Sequence, residues 1–502
     1  MKGRSLLLAG ILLLAGAPSC FAGAAQPERP AQGQAAPPGG TPSQRQTGLT
    51  AHRAIIHVHT TFSTGELTAE EIVAKAKAAG ISVVVFTDHE YVRMAWGPPP
   101  FRNLFSYSVD YRPSVLRIGV DEYYNTIEKL QRENPGMVII PGIESAPFYY
   151  ATGNPLTGDL TIHDWRRHIL LLGMGRQAVK KLPVPHNGLS TRYVSLLLPG
   201  WLLYLGGVFL SLFLLIYRGW IRWVGAVFLL FSVLGAIDAH PFKSSPFSPY
   251  LGPRGMRPYQ EIINYTEENG GFALWAHQGS LLAREKAEQV TMTTPPYTQV
   301  LHETVNFWGF DAIYEDAFKA SLPGQHWDQY LVGYVNGLRP RPVWGYGGLD
   351  FHSENEFSGR RRLTDIQNVF FLEEASEDAF FRALVNGRFY IVRGYTPARL
   401  QMNDFRVSSP DGKVSGSYGA EVQIQGPPRI AFDVGTQDGS AVKVKAQLVR
   451  MGKVIRTFEG STPLKVDYTD SDNMPFKRFY YRLDVQVDRR NHIMTNPVFI
   501  RR

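Results

Sequence analysis

Six short apolar runs in this chain each carry a histidine or a carboxylate at one end, and this pattern limits the possible folds more than any other feature of the sequence. The runs are Ala54 to His59, Val83 to Phe86 followed by Thr87-Asp88-His89, Met137 to Ile140 followed by Pro141-Gly142-Ile143-Glu144, Ile169 to Leu172 preceded by His168, Phe272 to Trp275 followed by Ala276-His277, and Gly347 to His352. A continuous apolar run of this length suits a strand buried on both faces, as parallel sheets require. Parallel α/β barrels gather their functional groups at one end of such strands.

Helical patterning lies between the runs. Thr68 and Glu71 form a capping-box pattern, Ile72, Val73, Ala76 and Ala79 give one apolar face, and Gly80 suits the C-terminal cap. Tyr259 to Asn269 reads as a second helix, leading through Gly270-Gly271 into Phe272 to Trp275. A parallel α/β barrel is the expectation.

His57 and His59 alternate along a strand, so both imidazoles are expected on one face. With His89, His168, His277 and His352 they make six histidines, joined by the carboxylates Glu144 and Asp350. Histidines and carboxylates repeated at successive strand ends point to a di- or trinuclear metal site. Two alternatives compete locally. Ala239-His240-Pro241 rivals His277, which is preferred because a glycine pair and a buried strand precede it, and His163 is weaker than His168.

The motifs HVHTTFS, TDHE, PGIE, the His168 strand, WAHQ and GLDFH resemble, in order, those of PHP (polymerase and histidinol phosphatase) domain metallohydrolases over residues 51–395. The resemblance implies a distorted (β/α)7 barrel with two or three Zn, Mn or Fe ions and phosphate ester hydrolysis by metal-bound hydroxide. It makes His57, His59, His89, Glu144, His168, His277, Asp350 and His352 ligands. Glu144 would bridge, Asp88 would orient a ligand, and Asp88, Glu144 and Asp350 would be the catalytic carboxylates. The chain departs from the pattern at Thr64 and Gly65, where many members have an acidic residue or a histidine, which weakens the case for a third ion. Arg360, Arg361 and Arg362 follow the last motif and could clamp a phosphate, although a solvated loop is the favoured reading. The ALVNGRFY segment ending at Tyr390 resembles the family's terminal helix and turn.

Two stretches break the barrel pattern. Tyr193 to Tyr217 has no charged side chain, and Trp223 to Ile237 is a second uncharged run, with Arg218 and Arg222 between them. The first is long enough to span a bilayer, and a transmembrane hairpin at about 193–237 is expected. The N-terminus has Lys2 and Arg4, an apolar run from Leu6 to Ala15 and an Ala22-Gly23-Ala24 cleavage site, so residues 1–24 read as a signal peptide. Cys20, the only cysteine, follows Ala17-Pro18-Ser19, a poor lipoprotein box. Residues 25–50 are rich in Pro, Gly and Gln and read as a disordered linker. Together these features place the enzyme at the membrane on the extracytoplasmic, periplasmic side.

From residue 399 to 502 the texture changes to period-two alternation, as in Val442 to Ala446 and Leu483 to Val487, which predicts a C-terminal β-sandwich. Such a module resembles one that follows exported PHP domains, including the carbamate hydrolase family CehA/McbA. Carbamate or carboxylic ester hydrolysis is therefore the competing activity, and a metal-stabilised envelope-binding protein the non-catalytic one. A net charge of +8 suits anionic partners: a phosphorylated small molecule, a lipid phosphate or an envelope polymer. No dense basic run interleaved with aromatics supports nucleic acid.

Overall fold

The apolar runs pair side by side and close on themselves. In the computed structural model, strands Thr50–Val58, Val83–His89, Val138–Ser145, Ile169–Leu172, Phe272–Trp275, Gly309–Ile313 and Trp344–Phe351 are neighbours in chain order, and the last also pairs with the first. The described residues are 48–502 apart from 92, 111–112, 281–283, 288–289, 316, 355–360, 395–397, 473–474 and 489. The signal-peptide reading, Cys20, Arg360 and nearly all of the 25–50 segment lie outside them. Val83 to Phe86 are wholly buried, filling the barrel on one face and packing against helices on the other. The capping box forms: the Thr68 hydroxyl accepts from the Glu71 N–H, and the Glu71 carboxylate accepts from the Thr68 N–H. It starts helix Ala69–Ala78, whose Ile72, Val73 and Ala76 are buried. Gly80 ends the turn at φ 69°, where a side chain would be strained.

One strand corrects the parallel expectation. Ile169–Leu172 runs antiparallel to both neighbours, pairing Gly142 with Leu172 and Leu170 with Leu274. A parallel neighbour needs a crossover, usually a helix, to return the chain to the opposite end. Here the chain between Ser145 and Ile169 forms only the short strands Tyr150–Thr152 and Thr161–His163, so it re-enters the barrel from the end it left. His168, which precedes its strand, thereby stands on the same rim as residues that follow theirs.

The C-terminal region is mixed β-sheet that continues the barrel. The first half of Thr50–Val58 pairs antiparallel with Ile366–Leu372, and the sheet runs on through Phe389–Arg393, Asn491–Thr495, Arg478–Asp488, Lys443–Arg450 and Lys453–Ser461. A second sheet holds Ser415–Gly416, Leu400–Ser408, Arg429–Thr436 and Leu464–Thr469, and the two share a core that includes Phe405, Phe432, Leu448 and Leu483. Alternation fails in Arg478–Asp488, where Arg482 and Asp484 are as buried as their apolar neighbours. The reason is contact with the barrel: Arg482 reaches Asp328 on helix His326–Val335.

The uncharged stretches form helices Val194–Leu214 and Trp220–Asp238, the second longer than expected because it takes in Arg222. They lie antiparallel, with Gly207 against Ser232, Gly225 against Leu214 and Gly235 against the Tyr204 ring. Small residues allow this close approach. Most other side chains face outward, including Leu203, Phe209 and Trp223, exposed by 69%, 72% and 74%.

Candidate metal centre

Left-handed backbone, disfavoured for side-chain-bearing residues, recurs at the barrel rim. His57 has φ 72°, Asp350 φ 47° and His277 φ 30°. At His57 the register slips between Ile56 and Val58 against both neighbouring strands. Regular alternation is therefore not what joins His57 to His59. A bulge turns His57 inward, and His59 lies just past the strand, its N–H donating to the Phe351 carbonyl at 2.9 Å.

Glu144, 1% exposed, is the centre of convergence. Its Oε1 lies 3.0 Å from His57 Nε2, 2.7 Å from His168 Nδ1 and 3.0 Å from His277 Nε2. Its Oε2 lies 3.2 Å from His59 Nε2 and 3.1 Å from His89 Nδ1. Asp350 Oδ1 is 3.3 Å from both His57 Nε2 and His59 Nε2 and 3.0 Å from His352 Nε2. Two groups could each hold a cation: His57, His59, Glu144 and Asp350 in one, and His89, Glu144 and His168 in the other, with Glu144 common to both.

Four imidazoles have their outward nitrogen engaged. His59 Nδ1 meets the Ser63 hydroxyl at 3.2 Å, His352 Nδ1 the Thr64 hydroxyl at 2.8 Å, His168 Nε2 the Trp165 carbonyl at 2.9 Å and His277 Nδ1 the Tyr297 hydroxyl at 3.3 Å. Partners of this kind fix the tautomer and aim the other nitrogen's lone pair inward. Both nitrogens of His57, with His59 Nε2, His89 Nδ1 and Glu144 Oε2, are buried without a hydrogen-bond partner. One carboxylate cannot satisfy five converging imidazoles, so the donor set fits cations bridged by Glu144.

The charge balance agrees. Burial opposes the charge on Glu144, but His168, His57 and His89 outweigh it and hold the carboxyl well below the usual range. Asp350 is likewise held low, with burial overcome by His57 and His352. Burial pushes His89 well below its ordinary value against the pull of Glu144, and lowers His352, so both favour the neutral form that ligation needs. His59 is also opposed by burial, yet the Asp350 and Glu144 carboxylates beside it push it up to about 10. A proton there carries positive charge that a cation would replace.

Asp88, fully buried, accepts from the Thr60 N–H at 2.8 Å, the Thr60 hydroxyl at 3.0 Å and the Ser63 hydroxyl at 2.7 Å. It acts on His59 through Ser63 and is not itself in either cation group. Thr64 and Gly65 have a steric explanation: a Cβ on Gly65 would stand 2.3 Å from the His59 carbonyl oxygen, and Thr64 is turned to His352. His163 lies outside the cluster, bonded to Thr152 at 2.8 Å and stacked on Tyr150, and His240 follows helix Trp220–Asp238 as a member of neither cation group.

Arg361 fits neither the clamp nor the solvated loop. Arg361 donates to the Leu349 carbonyl at 2.9 Å and to the Asp350 carbonyl, and pairs with Glu315, so it braces the strand that presents Asp350. Arg362 is exposed. Sequence reasoning missed Tyr314, whose hydroxyl donates to Asp350 Oδ2 at 2.9 Å, and Glu90. Glu90 accepts from the Ser145 hydroxyl at 3.0 Å and the Ala146 N–H at 2.7 Å, and burial pushes its carboxyl up to about 8. Its place beside His89 in TDHE was the available signal. A shallow open cleft adjoins the cluster, walled by His89, His168, Glu90, Arg93, Phe148 and Trp165 among others.

Residues 56–182 match the family model of the PHP domain, a span that includes His57, His59, His89, Glu144 and His168. The match covers about a quarter of the chain, and over that span the chain is similar to PHP domains. This similarity and the two histidine–carboxylate clusters support a metal-dependent phosphoesterase-type enzyme. Solved structures similar to it include the following. A two-domain protein from Bacteroides vulgatus, described as containing a predicted PHP-like metal-dependent phosphoesterase, is 12% identical with a TM-score of 0.34, over 92% of this chain and 100% of that one. An amidohydrolase from Chromobacterium violaceum with bound sulfate is 14% identical with a TM-score of 0.27, over 62% and 90%. No curated protein matches the chain.

Proposed function

We propose that this chain is a membrane-attached phosphoesterase working on the extracytoplasmic side, with two or three divalent cations at the Glu144 cluster. The observation that carries the reading is the convergence of five imidazole nitrogens on one buried carboxylate, four rings in the cluster being fixed from outside. His57, His59, Asp350 and His352 would hold one cation and His89, His168 and His277 another, with Glu144 between them. Bound there, divalent cations acidify water and neutralise phosphoryl oxygens. Water adds to phosphorus, the ester P–O bond breaks and the alcohol leaves with a proton. Asp88 steadies His59 through Ser63, Tyr314 steadies Asp350, and Glu90 can hold a proton in the cleft wall at neutral pH.

The membrane part rests on the apolar helix pair. Val194–Leu214 has 21 residues, and at 1.5 Å each it extends about 31 Å, the thickness of a hydrocarbon core. Tyr217, Trp220 and Trp223 at the turn suit the lipid interface; Arg218 and Arg222 at the turn are balanced by Arg192 and Lys243 at the other end, so the outside placement of the barrel rests on the signal-peptide pattern.

The test is hydrolysis of soluble phosphate esters by the full chain loaded with Mn, Zn or Fe, read as phosphate release from a monoester and alcohol release from a diester, alongside a carbamate and a carboxylic ester. Turnover of a phosphate ester that disappears in Asp350→Asn is expected. Turnover of the carbamate or carboxylic ester alone would replace this reading with the CehA/McbA-like one. A cation-loaded protein inert on all of them would leave a non-catalytic role.

A further inference from the structure

Strands Arg93–Trp96 and Tyr107–Asp110 form a two-stranded ribbon between the metal centre and the apolar helices. At one end Arg93 and Met94 form part of the cleft wall, beside His89 and His168. At the other, the connecting loop is fastened to the last residue of the second apolar helix. Asp238 Oδ1 accepts from the backbone N–H of Asn103 at 2.7 Å and of Leu104 at 2.9 Å, and Asp238 Oδ2 accepts from the Asn103 side-chain amide at 3.1 Å. The Phe101 ring packs against Phe231 of the same helix, centroids 5.7 Å apart. One short element thus runs from the reacting centre to the helix pair.

Its outer surface is apolar and open. Phe105, Tyr107 and Val109 are exposed by 54%, 75% and 45%, and Leu189 and Phe242, at the foot of the helix pair, by 80% and 43%. Cationic groups stand among them: Arg117 and Arg93 share Asp110, and Arg102 lies over the Tyr250 ring. Exposed aromatics and aliphatics mixed with cations, beside helices of membrane-spanning length, suit the headgroup layer of a bilayer with anionic lipid. In the cleft wall, Met94, Phe148, Trp165 and Val184 supply apolar surface, and the Arg93 guanidinium lies 4.5 Å over the Tyr91 ring.

We infer that the ribbon Arg93–Asp110 rests in the headgroup layer and that the substrate is a lipid phosphate, its acyl chains remaining in the bilayer while its phosphate passes Arg93 to the metal centre. The inference rests on the phosphoesterase reading and adds the substrate class and its route. A soluble phosphate has no need of the open apolar rim, whereas a lipid phosphate matches both the rim and the cleft it leads to.

The experiment uses the full chain reconstituted with Mn in phosphatidylcholine vesicles. It compares phosphate release from dioleoyl phosphatidate in those vesicles with release from monomeric dihexanoyl phosphatidate, which has the same headgroup. A preference of roughly tenfold or more in kcat/KM for the vesicle substrate is expected. The double variant Phe105→Ser, Tyr107→Ser should lose that preference and keep its rate on the soluble ester, showing that it is folded. Equal rates on both substrates would overturn the inference and leave the phosphoesterase reading intact. A preference unchanged in the double variant would overturn the ribbon's role. No release from either substrate by cation-loaded protein would overturn the inference, and the phosphoesterase reading falls with it only if the soluble mono- and diesters are also left intact.

Discussion

The barrel rim and the joint between barrel and C-terminal sheet both bury charge, and they satisfy it differently. At the joint, Asp328 and Arg482 are 1% and 0% exposed and form a bidentate pair at 2.8 and 2.7 Å. The Tyr480 hydroxyl and the Gly324 N–H complete the Asp328 carboxylate. Opposite charges meet there with nearly every hydrogen bond made, as a structural pair requires. At the rim, groups of the same kind converge: imidazole faces imidazole, five nitrogens crowd Glu144, and several buried atoms lack partners. The contrast separates a network that completes itself from one whose donors suit an added cation.

The largest effect expected from this contrast follows Glu144→Gln. The neutral amide cannot bridge two cations, so bound metal should fall and phosphate release should drop on the order of a thousandfold, while the fold persists. Elemental analysis with a turnover assay checks it, and full activity in the variant would erase the distinction. Asp328→Ala should do the reverse. It leaves a guanidinium buried and unpaired and should lower stability by about 3–5 kcal/mol, read by denaturant unfolding, with the metal content of the folded fraction unchanged.

Thr64→Ala is a sharper probe, because it removes only the bond that aims His352. Cation affinity or turnover should fall about 10- to 100-fold with little change in melting temperature. The smallest effect concerns pH. Burial works against the charge on Asp484, but His492 at 2.7 Å outweighs it and lowers the carboxyl in the folded state. A lowered folded pKa gives stability that is present above the unfolded value of about 3.9 and is lost as pH falls through the folded one. Asp484→Asn should flatten that acid limb, measured as melting temperature between about pH 5 and pH 2.

The rim was legible because buried strands and their ligands sit next to each other in the sequence: Val83 to His89 shows both the strand and what it presents. The reversed strand was less so. His168 stands before its apolar run while the other ligands follow theirs, and that inversion was the available sign of an antiparallel entry. The bulge at His57 could not be read, since it depends on register against two strands distant in sequence. Arg361 was ambiguous because an arginine after a metal motif looks the same in sequence whether it faces a phosphate, solvent or, as here, the Asp350 carbonyl. Ser63, Thr64, Tyr297 and Tyr314 were invisible as supports, because a hydroxyl becomes one only when folding brings a ring or a carboxylate within reach.

Cation stoichiometry is the most direct test of the central claim. The full chain, purified without chelator and analysed for transition metals, should carry two or more per molecule and no more than one in Glu144→Gln. A wild-type protein without bound metal after incubation with Mn, Zn and Fe, or a variant with the wild-type complement, would contradict the assignment of the Glu144 cluster as a bridged metal centre.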